Sequence, residues 1–513
     1  MYIYMLYIKI KIYRIIKKIK KDLKNKISLY CNHTMSIITR RTLGKKFYKS
    51  LDDTLNNLTS LTHLTFGNKF NQPLGNSLNN LTSLTHLTFG ENFDQRVNNL
   101  PQNLTHLTFG GYFNQKVDNL PPNLINLTFG DDFVQQLGNS LDKLTSLTYL
   151  NFGFQFNCPV NNLPQNLTHL TFGENFNRPV NNLPQNLTHL TFGYDFNRPV
   201  NNLPPNLTHL TFGRYFNQRV NNLPPNLTHL TFDWHFNQKV DNLPPNLTHL
   251  TFDWHFNQKV DNLPPNLTHL TFGENFDQEV NNLPPNLTHL TFCSHFNQEV
   301  NNLPPNLTHL TFGFHFDHPV NNLPPNLTHL TFGWHFNQKV DNLPPNLTHL
   351  TFGFHFDYPV NNLPPNLTYL TFGYYFNQPL DNVFYHLTSL THLGLGYNFN
   401  QKNDLPFNIK SLELNCDNTH YTDFLPDSVE EIKLGEDFNL ELNDLPSSTK
   451  KLSFKNVCYD KKLNCLPNNI ELIHLPEDYD LKIENIPKKL KKMKCSKNYK
   501  YKKDFNNVKV KYY

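Results

Sequence analysis

Residues 206–225 read Asn206-Leu207-Thr208-His209-Leu210-Thr211-Phe212-Gly213-Arg214-Tyr215-Phe216-Asn217-Gln218-Arg219-Val220-Asn221-Asn222-Leu223-Pro224-Pro225, and the next twenty residues repeat them with few changes. Self-similarity at a fixed short period decides an architecture before any single residue does. Within the unit, Leu207, Leu210 and Phe212 alternate with polar neighbours, the period-two pattern of a half-buried strand. Leu210 and Phe212 are expected to point inward, and His209 and Thr211 outward. Gly213 lets the chain turn without a Cβ penalty. Phe216, Val220 and Leu223 supply further inward anchors. Pro224 and Pro225 fix φ and remove donors, so the return leg should be extended or polyproline-like rather than helical.

One such coil cannot bury its own apolar face, whereas stacked coils turn each Leu, Phe or Val into a column. The expected fold is therefore a mainly β repeat solenoid. It is a right-handed stack of coils of about twenty residues, with one long parallel sheet and an extended convex side. A chain of 513 residues suits this plan, because a solenoid grows by addition. The first Leu of each Leu-x-x-Leu-x-Phe strand recurs at Leu61, Leu84, Leu104, Leu124 and Leu147, then every twenty residues from Leu167 to Leu367. Degraded copies follow at Leu390, Ile409, Val429, Thr449, Ile470 and Leu490, about twenty-two coils in all. Three steps are twenty-three residues long: Leu61 to Leu84, Leu124 to Leu147, and Leu367 to Leu390. There the added residues suggest a short helical turn, with Ser77 as a candidate N-cap in the first.

The period divides the chain into a basic leader and cap at 1–50, regular repeats at 51–400, degenerate repeats at 401–487, and a Lys-rich last coil at 488–513. Charge follows the same division. Residues 1–49 carry fourteen Lys and Arg against one acid, and 488–513 carry eleven against one. The body between them has a balance of −19, although the whole chain is +4. An acidic body is poorly suited to gripping nucleic acid along its length. Residues 1–26 present a basic face at helical spacing that suits an anionic membrane or nucleic acid. Their apolar run is too short to span a bilayer, and they lack the layout of a signal peptide. A start at Met35 would remove this leader altogether. Seven scattered cysteines form no Cys-x-x-Cys pair and read as free thiols, which points to a reducing, cytoplasmic setting. Asn-Leu-Thr recurs in nearly every coil and matches the N-glycosylation acceptor, but is read as a feature of the strand start.

The stretch Leu64-Thr65-Phe66-Gly67 followed by Phe70-Asn71-Gln72-Pro73 resembles the FNIP repeat, a member of the leucine-rich-repeat group. The resemblance covers roughly 51–400, and more loosely the chain to 495. It implies a non-enzymatic solenoid used for protein contacts, of a kind found in social amoebae and large DNA viruses. Some members carry an F-box ahead of the repeats and would be ubiquitin-ligase substrate receptors. Residues 1–50 do not match an F-box, so that adaptor role is an alternative only.

Two surface features invite a functional reading. A histidine column recurs in most coils from His63 to His392. Its neighbours should depress each other's protonation. A flat column lacks the enclosure that a metal site needs. The two positions after the turn Gly vary from coil to coil while the core letters stay fixed. Large aromatics and His collect there, the residue types that anchor interfaces. The candidate contact surface is Trp234, His235, Trp254, His255, His295, Phe314, His315, Trp334, His335, Phe354, His355, Tyr374 and Tyr375. Stacking of these rings on one another is the alternative reading. A Gly-rich phosphate loop, a nucleophile elbow and His-Glu-x-x-His are all missing from the sequence, and no acid/base pair stands out. The expectation is a scaffold without cofactor, metal or small-molecule substrate, which engages a protein partner through the concave strand face. The competing reading is a near-inert repeat expansion whose basic N-terminal segment touches membrane or nucleic acid.

Overall fold

The computed structural model describes residues 39–44, 51, 55, 57–380, 382–401, 405–415, 425–435, 438–455 and 458–513. The leader at 1–26, Met35, Cys31 and Cys416 lie outside the described residues. The chain divides into two units, Met1–Leu227 and Thr228–Tyr513.

Among its described residues the first unit contains nine short strands, from β1 (Arg40–Thr42) to β9 (His209–Thr211). They pair in parallel without a register shift, so that His169, Leu170 and Thr171 lie beside His189, Leu190 and Thr191. Strand β1 extends the pattern ahead of residue 51, with Arg41 opposite Leu64 of β2 (His63–Thr65). Each coil then turns twice. Phe216 N–H donates to the Gly213 carbonyl at 3.2 Å, and Leu207 N–H to the Pro204 carbonyl at 3.3 Å. Between the two turns the return leg of the twenty-residue coils is extended, as the prolines require.

The interior is built from columns. Leu207, Leu210, Phe212, Phe216 and Val220 are all buried. Within a coil, Phe212 stacks on Phe216 with ring centroids 3.8 Å apart, and Phe192 of the preceding coil lies 5.7 Å from Phe212. A second set of columns is polar. Asn197 Oδ1 accepts the Asn217 N–H at 3.1 Å and the Gln218 side-chain amide at 2.9 Å. Only an acceptor oxygen is used, so Asp94 performs the same task for Asn114 and Gln115. The Asn of the Asn-Leu-Thr triplet is also engaged: Asn206 Nδ2 donates to the Gln185 carbonyl at 3.1 Å.

Among its described residues the second unit holds fifteen strands, from β10 (His229–Phe232) to β24 (Lys509–Tyr512). Register is again unbroken, with His309, Leu310 and Thr311 beside His329, Leu330 and Thr331. It persists where the letters change: Glu431 and Ile432 lie beside Lys451 and Leu452. The parallel leucine-rich-repeat-like solenoid anticipated from the period is thus the fold of both units.

Two local expectations change. The turn glycines have ordinary backbone angles; among the described glycines only Gly75 and Gly138, both in twenty-three-residue coils, have positive φ. The column instead answers to crowding, since a Cβ on Gly333 would sit 1.6 Å from the Gly313 carbonyl oxygen. Where Asp233 and Asp253 take this place, β10 and β11 (His249–Phe252) run one residue longer. Asp253 N–H then donates to the Phe232 carbonyl at 3.0 Å, an ordinary strand contact with room for a side chain. The second change concerns the longer coils. A short 3-10 helix forms at Val383–His386 in the third. In the first two the added residues make successive turns, so Ser77 caps no helix.

Candidate interaction surface

The strand face carries the His and Thr columns, half-exposed on either side of a buried Leu. In the second unit consecutive imidazoles from His249 to His349 stack 4.1–4.2 Å apart and nearly parallel. A threonine fixes the orientation of each ring. Thr268 Oγ1 donates to the Thr248 carbonyl at 3.1 Å and lies 2.9 Å from His269 Nδ1. A hydroxyl has one hydrogen, so Nδ1–H must donate to Oγ1, and Nε2 is left as a bare acceptor. The first unit agrees: Tyr149 hydroxyl contacts His169 Nε2 at 3.2 Å, and only the tyrosine has a hydrogen to give.

Protonation is disfavoured at His269, His289, His309, His329 and His349. Burial, followed by the charges of His249 and His289, holds His269 below the usual imidazole value. The same holds for His309 and His329, where burial again outweighs the neighbouring rings. Mutual repulsion, expected from the sequence as the cause, is therefore the second contributor. The Nε2 atoms are parallel rather than convergent, and among the described residues no three His, Cys, Asp or Glu side chains gather as a metal site would require.

The variable pair after each turn Gly forms two rows in the second unit. Backbone ladder bonds set the spacing: His335 N–H donates to the Phe314 carbonyl at 2.9 Å, and His355 N–H to the Trp334 carbonyl at 2.9 Å. The outer row stacks Phe314 on Trp334 at 5.3 Å, Trp334 on Phe354 at 3.8 Å, and Phe354 on Tyr374 at 4.5 Å. The other row runs His295, His315, His335, His355 and Tyr375, with steps of 5.0–5.3 Å. Trp334 is still 41% exposed and Phe314 39%. The rings therefore stack and also remain open to solvent.

The family model for the FNIP repeat matches residues 79–132, 145–355, 357–384 and 401–437, more than half of the chain. The chain belongs to the FNIP repeat family. A solved structure described as CroV588, a novel circular LRR protein, is 37% identical over 92% of this chain and 85% of its own, with a TM-score of 0.72. YopM from Yersinia enterocolitica WA-314 is 20% identical over 81% of this chain and 87% of its own, with a TM-score of 0.38. An LRR protein of Leptospira interrogans is 16% identical over 79% and 97%, also at 0.38. A search of proteins of curated function gives no match. An FNIP repeat solenoid of this kind fits a protein-interaction scaffold.

Seen along the FNIP coils, the thirteen residues anticipated from the sequence fall into two groups. Trp234 and Trp254 stack at 4.4 Å, with His235 and His255 at 5.0 Å beside them. The coils of Glu274-Asn275 and Ser294 interrupt the outer row before Phe314 resumes it. All thirteen stand in the turns past the strand ends, not in the strands that carry the His and Thr columns. One ring was missed. Tyr397 stacks on Tyr374 at 4.7 Å and extends the row to five. Its signal was the Gly396-Tyr397 pair, hidden by the twenty-three-residue step from Gly373.

The described cysteines 158, 293, 458, 465 and 495 are free. Burial, with Glu274 and Asp253 nearby, pushes the Cys293 thiol up to about 11, which makes it a poor nucleophile. No helix among the described residues is long and apolar enough to cross a membrane.

Proposed function

We propose that this FNIP repeat chain is a non-enzymatic protein-interaction scaffold, and that its main contact surface is the outer aromatic row Phe314, Trp334, Phe354, Tyr374 and Tyr397. The His row beside it, from His295 to Tyr375, forms the flank, and the Trp234–Trp254 pair a separate contact. The observation that carries this reading is a run of large rings held in order by backbone bonds yet over a third exposed at Phe314 and Trp334. Trp and Tyr are enriched among the residues that dominate binding energy, and preordered rings lose little entropy on binding. The core letters hold constant while these positions vary, which supports a diversified surface on a fixed scaffold. The free thiols support a reducing, cytoplasmic setting.

The test compares capture of proteins from a cell lysate by the intact chain and by a Trp334→Ala/Phe354→Ala variant of equal melting temperature. Partners bound by the first should be retained about thirtyfold less well by the second, the scale of a two-kilocalorie hot spot. An identical set of captured proteins from both would reduce the row to internal packing.

A further inference from the structure

The strand face changes character along the second unit. In the coils of β19 (Ser411–Leu414), β20 (Glu431–Leu434) and β21 (Lys451–Phe454), charges of opposite sign meet across strands. Lys455 Nζ lies 2.6 Å from Glu413, and Lys451 Nζ lies 4.0 Å from Glu431. On β23 (Lys492–Cys495) and β24 the compensation stops. Met493 and Cys495 are buried, so Lys492 and Lys494 face outward. Lys509 and Lys511 lie directly opposite them in the parallel register. Among the described residues none of the four has a carboxylate within ion-pair distance. Lys494 is steadied by the Tyr513 ring, 4.0 Å from its ammonium, and the Tyr513 hydroxyl is itself anchored on the Leu475 carbonyl.

Like charges directly opposite one another destabilise a sheet. The same chain pairs its charges a few coils earlier, so the uncompensated square is a cost that an anionic occupant would relieve. Its dimensions indicate which occupant. Lysines two apart on one strand lie about 6.6–6.8 Å apart, and the strands about 4.8 Å apart. An extended peptide laid along the strands places alternate side chains on that same pitch of about 6.6–6.8 Å. A long polyanion running across the strands fits less well, because beyond Leu472 and His474 the same face is mixed in sign: Lys451 and Ser453 come first, then Glu431 with Lys433, then Glu413.

We propose that the strand face of β23 and β24 docks an extended acidic segment of a partner protein, with Asp or Glu at alternate positions held by Lys492, Lys494, Lys509 and Lys511. This rests on the scaffold reading above but uses a surface separate from the aromatic row.

The probe is a fluorescein-labelled peptide of alternating Glu and Thr, titrated into the full chain at low salt beside a block isomer of the same composition. The alternating peptide should bind at least about threefold more tightly than the block isomer. A Lys492→Gln/Lys494→Gln/Lys509→Gln/Lys511→Gln variant should bind it about tenfold or more less tightly, the sum of several exposed ion pairs. That variant should melt no lower than the parent, since it removes repulsion. Should it fail to fold, the Lys509→Gln/Lys511→Gln pair serves instead and should lose about threefold. Equal binding of the two peptides, undiminished binding by the variants, or tighter capture of an oligonucleotide of equal charge would each overturn the proposal. Capture through Trp334 and Phe354 should survive in the lysine variants, so failure here and failure of the scaffold reading are separable.

Discussion

The regular coils at 259–372 and the degenerate coils at 425–513 share one backbone and differ in almost every outward letter. The regular coils place a neutral, stacked imidazole column on the strand face and a Phe column within. The degenerate coils put charged residues on that face and replace the inner Phe by Tyr459, Tyr479 and Tyr499, all buried. Each tyrosine hydroxyl reaches a backbone carbonyl of the preceding coil, as Tyr499 does with Leu481 at 3.0 Å. The comparison teaches that the fold asks only for apolar volume inside, a satisfied polar tip if there is one, and an unbroken parallel ladder. What faces outward is left free, which is the condition for a scaffold to diversify.

The largest expected effect tests the shared interior. Leu330→Ala in the regular coils and Ile473→Ala in the degenerate ones should each cost about 2–5 kcal/mol, because both side chains are fully buried between neighbours. Denaturant unfolding of both variants checks this. A loss below about 1 kcal/mol at either site would show that the coil there does not share its neighbours' core.

Acidification should separate the regions next. His269, His289, His309, His329 and His349 have folded values below the ordinary imidazole value, chiefly through burial. The unfolded chain therefore binds protons first. The column's contribution is complete above about pH 7, declines as pH falls through about 6.5, and continues to decline until the folded values are passed. Among the described residues of the degenerate coils, only His474 shares this behaviour. Amide exchange resolved by segment at pH 8 and pH 5.5 should show protection falling more at 259–372 than at 425–513. Equal protection throughout would remove the coupling.

Smaller effects attach to single polar groups in the degenerate coils. Burial pushes the Tyr499 hydroxyl well above the ordinary phenol range, and Tyr499→Phe deletes its bond to Leu481 at a cost of about 1 kcal/mol. Thr449 is fully buried in the leucine column with no partner for Oγ1 among the described residues. Thr449→Val keeps the shape and removes the orphaned hydroxyl, so it should stabilise by about 1 kcal/mol. Thermal melts of the two variants should move in opposite directions.

The columns of Leu, Phe and Val were legible because a strict period with alternating burial admits one arrangement of strands, and Leu210 and Leu230 each take the buried place in their strands. The outward side of His209 and Thr211 followed from the same alternation. Contacts made between coils by backbone alone were not legible. Nothing in the letters of Gly333 distinguishes a glycine that turns from one that must admit a carbonyl at contact distance. Arg41 concealed β1 by placing a charge where Leu64 stands in the next coil. Tyr397 escaped because a three-residue insertion shifted its number while leaving its place in the stack unchanged.

The smallest effect concerns the exposed pairs that distinguish the degenerate strand face. Glu430 sits 2.8 Å from Lys450 and 3.8 Å from Lys410, and the Lys450 hydrogen bond holds its carboxyl below the usual glutamate value. A depressed carboxylate contributes stability above its unfolded value and loses it as pH falls through the folded one. Both partners are well exposed, so water and salt screen most of that contribution. Lys450→Gln should therefore raise the Glu430 titration towards the ordinary carboxylate range, as read by side-chain NMR, while the melting temperature stays unchanged. High salt should produce the same rise in the parent chain. A clear loss of melting temperature in Lys450→Gln would mean that these outward charges help hold the ladder together. The freedom of the outer face inferred from comparing the two regions would then fail where the sequence departs furthest from its repeat.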